Sequence, residues 1–137
     1  MEKVIVKVAW CDKNFGGTFG DNVPGAAVFT ARTFAGLRQA ASETLRFHVE
    51  GMAADGEAVP QWLLNGDYEL AYEFEDVAAM LRACEPYVSL AAISRASGIN
   101  QGQLSHYATG LKKPRGEQRR RIVEGLHKIG SGLLAMD

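Results

Sequence analysis

Gln101, Gln103, Ser105 and His106 are side chains able to read the edges of base pairs, and they fall close together beside Asn100 and Gly102. Glutamine can bond adenine N6 and N7 with both ends of its amide, and serine or histidine can donate to guanine or thymine acceptors. Directly after them, Lys112, Lys113, Arg115, Arg119, Arg120 and Arg121 place six cations against one acid, Glu117, within residues 112 to 121. Such a run beside a polar helix suits phosphates on either side of a groove. The chemistry these types can do is recognition of a duplex, not the making or breaking of bonds. Taken alone, the polar residues fit a solvated helix face equally well, so the elements that carry them decide the reading.

Those elements are two short helices meeting at a glycine. Ser89 can cap a first helix through Ser97, Gly98 can adopt the left-handed conformation a tight turn requires, and Asn100 can cap a second helix reaching Thr109. Ile93, Ile99, Leu104 and Tyr107 point inward in this arrangement, and the small Ser94 lets the helices approach. Gln101, Gly102, Gln103, Ser105 and His106 are then left on the outer face. A partner helix that fixes the crossing angle is what a helix needs to be held in a major groove. Arg119 to Arg121 cannot all face one phosphate backbone, and Ile122, Val123 and Leu126 show that their helix also packs.

Upstream, the periodicity is different. Val4, Val6, Val8 and Trp10 alternate with Lys3, Ile5, Lys7 and Ala9, which predicts a strand with one buried face. Turn residues from Asp12 to Gly17 lead to a short returning strand at Thr18-Phe19, and Ala26 to Thr30 forms a third. Thr33 can cap a helix ending at Gly51, with Phe34, Leu37, Ala41, Leu45 and Val49 on one stripe. After Asn65-Gly66-Asp67, residues Tyr68 to Phe74 alternate apolar with acidic as a last strand. The expected class is α+β, with a β-β-β-α-β domain over 1–75 followed by an all-α helix-turn-helix domain over 76–137.

The charges follow the same division. The total is −1, yet residues 1 to 81 hold 6 Lys/Arg against 12 Asp/Glu, and residues 82 to 137 hold 9 against 4. An acidic half joined to a basic half points to an anionic polymer as partner of the second. A chain of 137 residues holds two small domains at most. There is neither a signal-peptide pattern at the N-terminus nor an apolar run of membrane-spanning length, so a cytoplasmic protein without a membrane partner is expected. Cys11 and Cys84 lie far apart, one in a strand and one in a helix, and are expected to be reduced, small, buried side chains.

Two alternatives in other chemistry are weaker. Asp12, Asp21, Glu43 and Glu50 are the acids a metal-dependent nuclease would use, but two fall in turns and two on an outward helix face. His48, His106 and His127 have no acid or cysteine at ligand spacing. No catalytic residue, metal site or cofactor is therefore expected.

The segment ISRASGINQGQLSHYATGLKKP, Ile93 to Pro114, resembles the helix-turn-helix of phage-repressor-like transcription factors. The resemblance implies base-facing positions at Gln101, Gly102, Ser105 and His106 and backbone-facing ones at Gln103 and Lys112. With Asn100, Lys113 and Arg115 these make up the expected DNA-binding set. Ser97 departs from the pattern, which usually has a larger apolar residue there, and implies looser packing of the first helix. Residues 24 to 60, PGAAVFTARTFAGLRQAASETLRFHVEGMAADGEAVP, resemble the HicB antitoxin pattern. That resemblance implies a partial RNase H-like fold, a dimer or larger homo-oligomer on operator DNA, autorepression, and a HicA-type messenger-RNA-cleaving toxin as partner. Ala35-Gly36 stands where the family has an acidic pair, and an orphan regulator without a toxin is the alternative.

Overall fold

Alternation in the first residues builds strand β1 (Glu2–Cys11), in which Val4, Val6 and Val8 are wholly buried. The chain reverses at Asp12-Lys13, with Asp12 at φ 65, and β2 (Asn14–Phe19) pairs antiparallel with β1 from Cys11↔Asn14 to Val6↔Phe19. The expected turn was longer. Gly16 and Gly17 belong to the strand instead, paired with Ala9 and Val8 of β1 on one side and with Thr30 and Phe29 of the neighbouring strand on the other, and a Cβ on Gly17 would run into the ring of Phe29. That neighbour, β3 (Val28–Ala31), is again antiparallel, and β4 (Tyr68–Phe74) joins β1 in parallel, from Glu2↔Tyr68 to Val8↔Phe74. The computed structural model describes residues 1–137 and is α+β, with one four-stranded mixed sheet in the order β3-β2-β1-β4 and six helices.

Helix α1 (Phe34–Ala54) starts where Thr33 accepts the Gly36 amide at 3.0 Å and buries Leu37, Ala41, Leu45, Val49 and Met52. Gly51 does not end it. Met52 extends the buried stripe one step further, and the helix closes at Gly56 (φ 74), with Gly56 N bonded to Ala53 O and Glu57 N to Met52 O. A one-turn helix, α2 (Gln61–Leu64), then precedes β4, so the order is β-β-β-α-α-β. Pro60 supplies its preset φ of −55, and its carbonyl receives the Leu63 and Leu64 amides. Val4, Leu45, Val49, Leu63 and Val23 make one core of this unit, Met1–Glu75.

The second unit, Asp76–Asp137, is entirely helical. It comprises α3 (Val77–Cys84), α4 (Leu90–Ser97), α5 (Gln101–Thr109) and α6 (Gly116–Leu134). Val77, Leu81, Ile93, Ile99, Leu104, Tyr107 and Ile122 form its core. Cys84 is half-buried, and burial pushes its thiol up from the ordinary value. Cys11, by contrast, is exposed, because it ends β1 on the face away from Val4, Val6 and Val8. No helix is long and apolar enough to cross a membrane.

Candidate nucleic-acid interface

Local chemistry fixes both helices of the turn. Ser89 accepts the Ala92 amide at 3.1 Å to start α4, and Gly98, at φ 74, ends it with its amide bonded to Ser94 O. Any residue with a Cβ is strained at that φ. Ser94 Oγ donates to the Ile99 carbonyl, so its small side chain also ties the turn together. Asn100 Oδ1 accepts the amides of Gly102 at 2.8 Å and Gln103 at 3.3 Å and starts α5. That oxygen is therefore occupied by the helix cap, and only the NH₂ of Asn100 remains to face a ligand.

On α5, Leu104 and Tyr107 are buried, while Gln101, Gly102, Ser105, His106 and Thr109 are exposed along the opposite face. Gln103 departs from the expected outer face. It is half-buried, and its Nε2 donates to the Tyr107 hydroxyl at 2.9 Å, because its position on the helix lies beside Tyr107 instead of beside Ser105. At the other end, Arg82 of α3 donates from Nε to the Ala108 carbonyl at 3.0 Å, a cation satisfying a C-terminal carbonyl of α5.

The basic loop is held against the same helix. Lys112 N donates to the His106 carbonyl at 3.2 Å, which places the Lys112 side chain beside α5. Lys112, Lys113 and Arg115 are exposed and make no ion pair, so their charge is available to a ligand. With Gln103, Tyr107 and Gln118 they border one groove. An adjoining groove is lined by Asn100, Gly102, His106 and Lys112 together with Gln118 and Arg121. Ser105 faces the other flank of α5, in a hollow shared with Arg82, Ser89 and Thr109. Gln101, Gly102, Ser105 and His106 thus form a polar ridge, with Lys112 beside it on one flank and a mixed flank of Ser89, Thr109, Arg82 and Glu85 on the other.

The arginine run divides by role. Arg120 is paired with Glu117 and Glu124, the latter at 2.6 Å, which raises its guanidinium pKa and holds the Glu117 carboxyl below its ordinary value. Arg121 bonds to Gly98 O and to Gln118. Gln118 and Thr109 are residues that the sequence pattern did not single out. Thr109 falls at helical spacing from Ser105, which was legible; Gln118 reaches the groove only through the placement of α6.

Ser97 does not loosen the packing. A Cβ on Gly125 of α6 would lie 3.1 Å from Ser97 N and 3.2 Å from Ser97 Cα, so α4 and α6 meet at backbone distance. Small residues on both sides are what allow this approach. No three His, Cys, Asp or Glu side chains, Asp12, Asp21, Glu43 and Glu50 among them, are grouped so as to hold a metal ion. The chain matches no protein-family model, no curated protein and no solved structure.

Proposed function

We propose that this protein is a transcriptional repressor that reads operator DNA in the major groove through α5. The observation that carries the reading is the capped, exposed ridge of Gln101, Gly102, Ser105 and His106 with unpaired Lys112, Lys113 and Arg115 fixed along its side. Hydrogen-bonding side chains on the ridge supply selectivity, and the cations supply register and affinity by contacting phosphates. Two copies of the chain acting on a palindromic site would match the two-fold symmetry usual for such modules.

The first unit is read, on its resemblance, as a HicB-like antitoxin domain of partial RNase H-like fold that blocks a HicA-type toxin. The antiparallel β1-β2-β3 meander, the Thr33-capped helix and the final β4 support that reading. So does charge, since Met1–Glu75 holds 6 Lys/Arg against 11 Asp/Glu, and an acidic surface favours encounter with a basic RNA-binding partner.

The test has two arms. Selection of binding sites from a random duplex pool should yield a defined sequence that also occurs in the protein's own promoter. Gln101→Ala should then relax the preference, whereas Lys112→Ala should weaken all duplexes alike. Co-expression with the product of an adjacent basic reading frame should give a stable complex. Failure to enrich any sequence would sink the repressor reading; failure of co-purification alone would leave a DNA-binding regulator without a toxin.

A further inference from the structure

Arg121 lies in a basic run and, from charge alone, reads as a phosphate contact. Its guanidinium is already engaged. Nη2 donates to the Gly98 carbonyl at 3.0 Å and Nη1 to Gln118 Oε1 at 3.3 Å. Gly98 is the left-handed residue on which α4 turns into α5, and a Cβ there would lie 2.8 Å from Arg121 Nη2. The arginine therefore sits directly on the turn.

We infer that Arg121 is a positioning residue that sets the sequence selectivity of α5 without touching DNA. The inference rests on the DNA-binding reading given above. Arg121 belongs to α6, whose N-terminal end also carries Arg115 at its cap and Gln118 in the groove beside Lys112. Its bond to Gly98 thus ties the helix that faces bases to the segment that faces phosphates. The bond is charge-assisted, and the planar fork of arginine spans two acceptors where a lysine ammonium acts as a point charge. With its carbonyl oxygen held by Arg121, Gln118 keeps its NH₂ as a donor. Base reading depends on hydrogen-bond geometry, while phosphate affinity depends on charge. Release of the clamp should therefore degrade selectivity and leave the number of phosphate contacts intact.

The experiment uses the full chain and the duplex that the wild-type protein selects from a random pool, with a scrambled duplex beside it. Affinity for both is measured over a range of salt for wild type, Arg121→Met, Arg121→Lys and Lys112→Met, at a temperature where circular dichroism shows each variant folded. Arg121→Met is expected to keep the wild-type salt slope and to lose about tenfold of its preference, within the range of one base contact. Arg121→Lys should recover part of that preference. Lys112→Met should lose about one unit of slope and keep the preference. A slope reduced by about one unit in Arg121→Met would make Arg121 a phosphate contact and overturn the inference; an unchanged preference would overturn it equally. If Arg121→Met does not fold, Arg121→Gln, which also removes the charge, carries the same two predictions of an unchanged slope and a reduced preference. A wild-type protein that selects no sequence removes the DNA-binding reading and this role with it, whereas failure confined to the Arg121 variants leaves that reading standing.

Discussion

Gln103 and Tyr107 are joined across one turn of α5 by a 2.9 Å hydrogen bond from the amide nitrogen of the first to the phenolic oxygen of the second. The buried ring of Tyr107 thereby anchors a residue that borders the basic groove, and the core and the candidate interface meet in one bond. Tyr107→Phe keeps the ring and removes the acceptor. Its expected cost is about 1 kcal/mol of stability, that of a typical net hydrogen bond, in urea unfolding. The Gln103 side-chain amide resonances should sharpen toward those of a freely rotating group; broad, unchanged resonances would show that the bond does not restrain it.

Gly125 is expected to be intolerant of any side chain. Its added Cβ would lie 3.1 Å from Ser97 N, an atom of the α4 backbone that cannot rotate away. Gly125→Ala should therefore destabilise the second unit by about 1–3 kcal/mol, the range for overpacking, despite alanine's better helix propensity. Gly130→Ala, where a Cβ meets nothing within 4 Å, is the matched control and should be neutral or stabilising. Equal melting temperatures for the two variants would contradict the close approach of α4 and α6.

Asn100 joins the cap of α5 to the candidate interface, and two substitutions separate the roles. Asn100→Ala leaves the Gly102 and Gln103 amides without their acceptor and should cost about 1 kcal/mol. Asn100→Asp keeps an oxygen acceptor and places a negative charge at a helix N-terminus, so stability should hold. The same charge should repel phosphate and weaken duplex binding. Thermal melts and duplex titrations check both halves, and an aspartate variant as unstable as the alanine one would refute the cap assignment.

The Glu117 carboxyl is held down by its hydrogen bond from Arg120 and by the charge of that residue. An acid depressed in the folded state contributes stability at neutral pH and loses it as pH falls through its folded value. The melting-temperature difference between wild type and Arg120→Met should accordingly shrink below the ordinary carboxylate range. Both groups are exposed, so the difference should also shrink in high salt. A gap that widens on acidification would reverse the sign and exclude this origin.

The local turns and caps of the second unit were legible in the residues themselves. Ser89, Gly98 and Asn100 act on neighbours within a few positions, so their effect is written in short spacing, as is the inward set of Ile93, Ile99, Leu104 and Tyr107. The strand alternation of Val4, Val6 and Val8 and the stripe of α1 were readable for the same reason. Boundaries were less so. Gly51 looked like a stop, but burial of Met52 outweighed the helix penalty of one glycine, and Gly16 and Gly17 are held in β2 by pairing with β1 and β3 on both sides.

What the amino-acid order determined by itself was the class of the long elements and the polar face of α5, because both follow from periods of two and 3.6 residues, whereas the one-turn helix α2 is too short to show a period. Only tertiary structure decided that β4 runs parallel to β1 and that Arg120 and Arg121, adjacent in the chain, take different roles. Adjacent positions on a helix point about 100° apart. One arginine therefore meets the acids of its own helix, while the next meets the carbonyl of Gly98, a partner that no local spacing could announce.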